Sequence, residues 1–154
     1  MDLIVRKGIP SDKKAIEDLF IEMLKTIYNT DDVDGYEEGY LDKYFEENGD
    51  FILVAECEGK VIGYLSIEEH HDERDYYYLD DFSVSEAFRG KGLGSKFLLE
   101  AEKYAKERNI PSICLHVEKT NTAAMKLYEK NRYKIFSDED NRYLLAKDLQ
   151  KKST

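Results

Sequence analysis

Arg89-Gly90-Lys91-Gly92-Leu93-Gly94-Ser95 is the stretch whose reading decides the fold. Before it runs an extended-looking segment, Tyr76 to Val84. After it Leu93, Phe97, Leu98, Ala101, Tyr104 and Ala105 recur at helical spacing and stop short of Pro111. Three alternating glycines let the backbone pass close to a ligand. The amides that open the following helix have no acceptor inside it, and the helix dipole favours negative charge there. Strand, glycine loop and helix together suit a phosphate or pyrophosphate, and Arg89, Lys91 and Lys96 add positive charge. No Gly-Lys-Ser/Thr follows the glycines, so the loop is not a P-loop. The Gly-x-Gly-x-Gly spacing also differs from the dinucleotide fingerprint. A tight strand-to-helix connection remains the alternative for the loop taken alone.

Outward from the loop, the chain divides into short alternating elements. Leu3-Ile4-Val5 reads as a strand, and Pro10 with Ser11 or Asp12 opens a helix carrying Ile16, Leu19, Phe20, Met23, Leu24 and Ile27. A second helix is expected over about 33–47, interrupted by Gly35 and Gly39. Phe51 to Cys57 and Val61 to Ile67 form a hairpin across Glu58-Gly59-Lys60. A polar turn, Glu69 to Glu73, leads into Tyr76 to Val84. Ile113, Leu115 and Val117 make a strand, and Asn121 caps a helix with Ala124, Leu127 and Tyr128. Lys134-Ile135-Phe136 and Tyr143 to Ala146 close the chain as an antiparallel pair. The order is βααβββαβαββ: one mixed-sheet α/β domain over 1–150 with helices on both faces, and a loose tail over 151–154.

Two flanking segments sharpen the reading of the loop. Tyr78-Leu79-Asp80-Asp81-Phe82-Ser83-Val84 precedes it, and Asn121-Thr122-Ala123-Ala124-Met125-Lys126-Leu127-Tyr128 follows after one strand. With these, the sequence resembles the GNAT superfamily of acetyl-CoA-dependent N-acetyltransferases. Arg89-x-x-Gly92-x-Gly94 matches that family's pyrophosphate signature, and the Asn121 to Tyr128 helix matches its second cofactor segment. The resemblance implies a mostly antiparallel sheet splayed at a cofactor cleft, and acetyl-CoA as the cofactor. The backbone at Phe82, Ser83 and Val84 would pair with the pantetheine arm. Arg89 and the amides from Gly90 through Lys91, Gly92, Leu93 and Gly94 to Ser95 would hold the pyrophosphate. Asn121 and Ala124 would meet the cofactor, and Tyr128 would sit beside the sulfur.

The implied reaction is direct attack of an amine on the thioester. Tyr128 is the candidate acid for the leaving thiolate, against the plain reading of one packed ring among twelve tyrosines. For the base, strand parity puts Asp80, Phe82 and Val84 on one face and Asp81 and Ser83 on the other. Asp80 acting through water is the candidate, a water chain without a single base the alternative, and Asp81 a structural hydrogen bond. Ser85 stands where the family usually has Pro. Arg132 stands where it usually has a left-handed Gly, and Asn131 is expected to take over that cap. The stretch around Asp80 is most similar to the spermidine/spermine acetyltransferase branch.

The 154 residues carry a net charge of −10, unevenly placed: residues 1–82 sum to −15 and residues 83–154 to +5. This acidic balance argues against nucleic acid as a partner. No run approaches the roughly 20 apolar residues that span a bilayer. Cys57 and Cys114 do not make a disulfide scaffold and, with an N-terminus lacking a signal-peptide pattern, suggest a cytoplasmic protein. The acids concentrate at 31–50 and 66–82, where the resemblance places the acceptor. Asp31, Asp32 and Tyr36, with Asp80, are therefore the candidate contacts for a small polycationic amine. Peptide amines and aminoglycosides are alternatives, as is a non-catalytic acyl-CoA-binding module. His70 and His71 sit among acids without a diagnostic ligand spacing, so no metal is expected. His116 shares a strand face with Cys114, where packing or a polar contact is the plain reading. A homodimer through sheet edges is compatible with the pattern.

Overall fold

A computed structural model describes residues 2–149; the tail expected over 151–154 lies outside them. Seven strands form one sheet in the order β1-β2-β3-β4-β5-β7-β6: β1 (Leu3–Lys7), β2 (Phe51–Cys57), β3 (Lys60–His71), β4 (Asp75–Val84), β5 (Ser112–Glu118), β6 (Lys134–Glu139) and β7 (Arg142–Asp148). The helices are α1 (Lys13–Tyr28), α2 (Leu93–Glu107) and α3 (Thr122–Lys130). No described helix is long and apolar enough to cross a membrane. β1 pairs with β2, and β7 with both β5 and β6, all antiparallel, whereas β4 and β5 run parallel. A parallel pair needs a long crossover, which α2 supplies.

The chain clusters into two compact units. The first takes in the residues up to Ser66 together with Asp81–Leu93. Its core is Ile16, Leu19, Leu41, Tyr44, Ile52, Val54 and Tyr64, with Phe20, Tyr36, Phe45 and Val61 packed against it. α1 is entered through a turn of 3-10 helix, Pro10–Asp12. The Asp12 carboxylate accepts from the Ile9 amide at 2.8 Å and from the Arg6 guanidinium at 2.9 and 3.1 Å. α1 ends at Asn29 in the left-handed conformation.

The expected second helix over 33–47 is instead an irregular segment followed by a 3-10 helix, Tyr40–Phe45. Gly39 at φ 82° breaks the α-helical path, and burial falls on Leu41 and Tyr44 alone. Tyr36 is held by its ring rather than by a helix. It stacks on Phe20 with centroids 3.8 Å apart and on Tyr40 at 4.8 Å.

The second unit takes in Ile67–Asp80 and the described residues from Gly94 onward. Tyr77, Leu79, Phe97, Leu98, Ala101, Ala105, Ile113, Leu115, Val117, Tyr133 and Leu145 are among its buried residues. β3 runs on to His71, so the polar turn contracts to the residues between His71 and Asp75. The paired carboxylates explain the extension: Glu69 takes Arg108 in a two-pronged bond at 2.8 and 2.7 Å, and His71 lies between Glu69 and Asp75 at 2.7 and 2.8 Å. Inside this unit Glu102 is 6% exposed and accepts from both Tyr133 and Lys147.

Candidate active site

In the first unit, β4 ends at Val84 and the chain turns through a short 3-10 segment, Glu86–Phe88, into the glycine loop. Arg89 ties this corner down. Its Nε donates to the Val84 carbonyl at 2.8 Å, and a terminal nitrogen lies 3.7 Å from Glu22, whose carboxylate also accepts the Glu86 amide. Arg89 is therefore committed to the shape of the loop, and one lone pair of the Val84 carbonyl is taken. Gly90 and Gly92 hold φ of 73° and 83°, in the left-handed region, with open space where a side chain would stand. That conformation turns the chain so that α2 starts at Leu93, which is buried, while Gly90, Lys91 and Gly92 stay exposed.

Ser83 faces inward, donating its hydroxyl to the Leu19 carbonyl at 3.3 Å. Phe82 is half-buried on the opposite face. Asp81 makes the structural bonds foreseen as its alternative. Its carboxylate accepts the Tyr36 hydroxyl at 2.6 Å, its amide donates to Ser66 Oγ, and the Tyr36 and Tyr64 hydroxyls are 2.8 Å apart. Burial first, then the neighbouring Tyr64 and Asp81, push the Tyr36 hydroxyl well above the ordinary tyrosine range. Tyr36 thus acts as a buttress under β4. Asp31 and Asp32 are exposed beyond the end of α1 and are not brought to Tyr36 by any bond described.

In the second unit, Asp80 is exposed on β4, on the face opposite the buried Leu79. The parallel register with β5 runs from Tyr77↔Ile113 to Leu79↔Leu115, and β4 continues past it. Gly94 has a different reason from the two glycines before it. A Cβ there would lie 2.7 Å from Leu127 Cδ2, so α2 and α3 meet closely only without a side chain. Asn121 caps α3, its side-chain oxygen accepting the Ala124 amide at 3.1 Å.

Tyr128 lies on α3, edge-on to Tyr133 at 6.1 Å, and burial raises its hydroxyl above the ordinary value. It stays protonated at neutral pH and is thus a proton donor rather than an acceptor. The end of α3 corrects the expected cap. Arg132 itself takes the left-handed conformation at φ 73°, while Asn131 has φ −93°. The Arg132 amide donates to Glu129 and the Tyr133 amide to Tyr128, both at 2.9 Å, which is a Schellman ending. Asn131 instead uses its side chain, donating to the Leu127 carbonyl at 2.9 Å and to Ser95 Oγ at 3.1 Å. With its oxygen accepting from Asn131, Ser95 keeps its own proton for another acceptor.

This arrangement has close counterparts. Residues 20–132 match the acetyltransferase (GNAT) family. The chain belongs to that family. Over 132 residues this GNAT chain is 30% identical to YhfO, an uncharacterized N-acetyltransferase of Bacillus subtilis, covering 84% of this chain and 88% of the relative. Over 101 residues it is 29% identical to streptothricin acetyltransferase A of the same organism, covering 65% and 57% of the two chains. Its fold is similar to that of the PaiA N-acetyltransferase of Thermoplasma acidophilum in complex with coenzyme A, with a TM-score of 0.75, 21% identity, and coverage of 96% and 99%. Among the described residues of this GNAT enzyme, no group of three or more His, Cys, Asp or Glu is placed to hold a metal ion.

The sequence reading missed two sets of contacts. Tyr64 completes the Tyr36–Asp81 cluster, and because β3 is buried continuously from Ile62 to Ile67 no alternation singles it out. His116, for which packing or a polar contact is the plain reading, makes polar contacts that the sequence does not name, bridging Tyr78 at 2.7 Å and Glu139 at 3.0 Å. The parity shared by Tyr78, Cys114 and His116 could have pointed to it.

Proposed function

We propose that this GNAT chain transfers the acetyl group of acetyl-CoA to a primary amine, by direct attack in a ternary complex, and that the preferred acceptor is small and polycationic. Acetyl-CoA supplies the activated thioester. The amides from Gly90 to Ser95 and the Ser95 hydroxyl bind the pyrophosphate, with Lys91 and Lys96 adding charge. The backbone of Phe82 to Val84 carries the pantetheine arm as an added strand, and Asn121 and Ala124 on α3 contact the cofactor. Tyr128 returns a proton to the departing thiolate. Its raised hydroxyl supports this role, because the proton is in place at neutral pH and is quickly regained. Asp80 receives the proton of the acceptor through water, which its exposure on β4 permits.

The observation that carries the reading is the glycine loop at the start of α2, with Gly90 and Gly92 at positive φ, in a chain of this family. The acceptor class rests on charge: residues 1–82 sum to −15. The test is thiol release from acetyl-CoA against polyamines, streptothricin, aminoglycosides and peptide amines. Release with polyamines, at a KM that rises with salt, is expected. Release with peptides alone would overturn the acceptor class, and no release with any amine would overturn the enzyme and favour a non-catalytic acyl-CoA-binding module.

A further inference from the structure

On the exposed face of β4 a chain of hydrogen bonds leads away from Asp80. Tyr78 lies opposite Cys114 in the parallel β4–β5 register. One same-face step further brings Asp80 on β4 and His116 on β5. The Tyr78 hydroxyl is 2.7 Å from His116 Nδ1, with the two rings edge-on at 5.6 Å, and His116 Nε2 is 3.0 Å from Glu139 Oε1 on β6. A carboxylate only accepts, so Nε2 carries the imidazole proton. Nδ1 of the neutral ring is then bare, and the Tyr78 hydroxyl donates to it. The His116 and Glu139 side chains are 23% and 34% exposed, so the far end reaches solvent. Three strands thus contribute one continuous donor–acceptor line.

We propose that Tyr78, His116 and Glu139 form a relay that carries the acceptor's proton away from strand β4, Tyr78 meeting the water beside Asp80. This rests on the amine-acetylating reading above. The proton that Asp80 receives from the acceptor ammonium through that water passes on to the Tyr78 oxygen as the Tyr78 proton moves to His116 Nδ1. The amine lone pair is thereby freed for the thioester, and the imidazolium, held by Glu139, later gives its proton to solvent. Tyr78 touches the reacting water; His116 and Glu139 are positioning residues that act through it. The groups facing the line are Glu68 from β3, Asp80 from β4, Cys114 from β5 and Arg142 from β7, the last 3.6 Å from Glu139. Burial and then the Asp80 charge push the Tyr78 hydroxyl up to about 12, so it passes a proton without keeping a charge. Cys114 is pushed up to about 11 by burial and stays a neutral thiol.

The experiment measures pH profiles of kcat/KM by thiol release for the wild type, Tyr78→Phe, His116→Gln and Glu139→Gln, with far-UV circular dichroism as the fold check. Wild type is expected to lose activity on the acid limb of its profile, where the line holds an extra proton. His116→Gln should remove that limb and lower kcat about 10- to 100-fold, with KM for acetyl-CoA unchanged. Tyr78→Phe should match this loss, and the double variant should add nothing. Glu139→Gln keeps an acceptor for Nε2 but removes the charge that holds the imidazolium, and should displace the limb to lower pH. An acid limb unmoved in both His116→Gln and Glu139→Gln, or losses that multiply in the double variant, would overturn the relay. If no amine supports thiol release, the function reading falls separately. ¹⁵N NMR of His116 then still decides the relay geometry, a proton on Nε2 at pH 8 supporting it and one on Nδ1 overturning it.

Discussion

Gly94→Ala distinguishes what the three loop glycines do. A Cβ at Gly94 meets Leu127 Cδ2 at 2.7 Å and Cδ1 at 3.2 Å, whereas Gly90 and Gly92 have nothing within 4 Å. Gly94 is needed for space, and Gly90 and Gly92 for their positive φ. Overpacking costs about 1–3 kcal/mol, and because Leu127 is half-buried and able to turn, the lower half of that range is expected. Leu127→Ala alone removes partly buried apolar area and costs about 1–2 kcal/mol. Together the two changes remove the clashing atoms, so the double variant should be more stable than the sum of the singles by about 1 kcal/mol. Gly90→Ala and Gly92→Ala should each cost about 1 kcal/mol and show no coupling to Leu127→Ala. Urea unfolding of the ligand-free protein reads this from midpoints at constant slope, and KM for acetyl-CoA should rise for Gly94→Ala and recover in the double variant. A Gly94→Ala protein as stable as wild type, or strict additivity with Leu127→Ala, would refute the close approach of α2 and α3.

Arg132→Gly relieves a left-handed φ of 73° without touching the Schellman bonds, and should raise stability by about 1 kcal/mol in the same urea assay. Tyr128→Phe should lower kcat about 100-fold or more while leaving KM for acetyl-CoA nearly unchanged in steady-state thiol release. Asp12 sets an acid limit. Burial raises its carboxyl, but the Arg6 hydrogen bond, the Ile9 amide and the Arg6 charge outweigh this and hold it below the ordinary 3.8. Its stabilisation is therefore full above the unfolded value and is lost as pH falls through the lower folded one. The urea midpoint should drop as pH is taken below about 4, and Arg6→Gln should flatten that drop.

What the sequence made legible was whatever local periodicity and spacing encode. The loop, α2, α3 with its Asn121 cap, β2, β4 and β5 stand where the pattern put them, while β3 runs four residues further. β5 buries alternate residues, whereas β2 and β3 are buried almost continuously and are marked by apolar runs bounded by turns. The segment 33–47 misled for the opposite reason. Tyr36, Tyr40 and Tyr44 are spaced like one helix face, yet Tyr36 is fixed by stacking on Phe20 and by a bond to Asp81, 45 residues away. No local pattern reports a contact of that separation. Gly94 looks like Gly90 and Gly92 in the pattern, because a sequence does not reveal whether a glycine serves a dihedral angle or a neighbour. Arg132 shows the reverse case, a residue of the wrong local preference held left-handed by two backbone bonds that α3 supplies.

The charge pattern gains meaning when divided by the fold rather than at residue 82. Residues 67–80 carry −5, yet they belong to the same unit as the described residues 94–149, which carry +2. Much of that −5 is already matched at short range: Glu69 by Arg108 and His71, and Asp75 by His71. Paired carboxylates have little field left for a diffusing cation, since the partner's charge cancels theirs beyond a few ångströms. The segment 31–50, at −8 with Lys43 its one base, lies wholly in the first unit, where Asp31, Asp32 and Asp34 are exposed. Under the proposed function, attraction of a polycation is assigned to 31–50, and capture of its reacting nitrogen to Asp80 and the Tyr78 line. The two should separate in the rate data, the first acting on a salt-dependent KM and the second on a pH-dependent kcat.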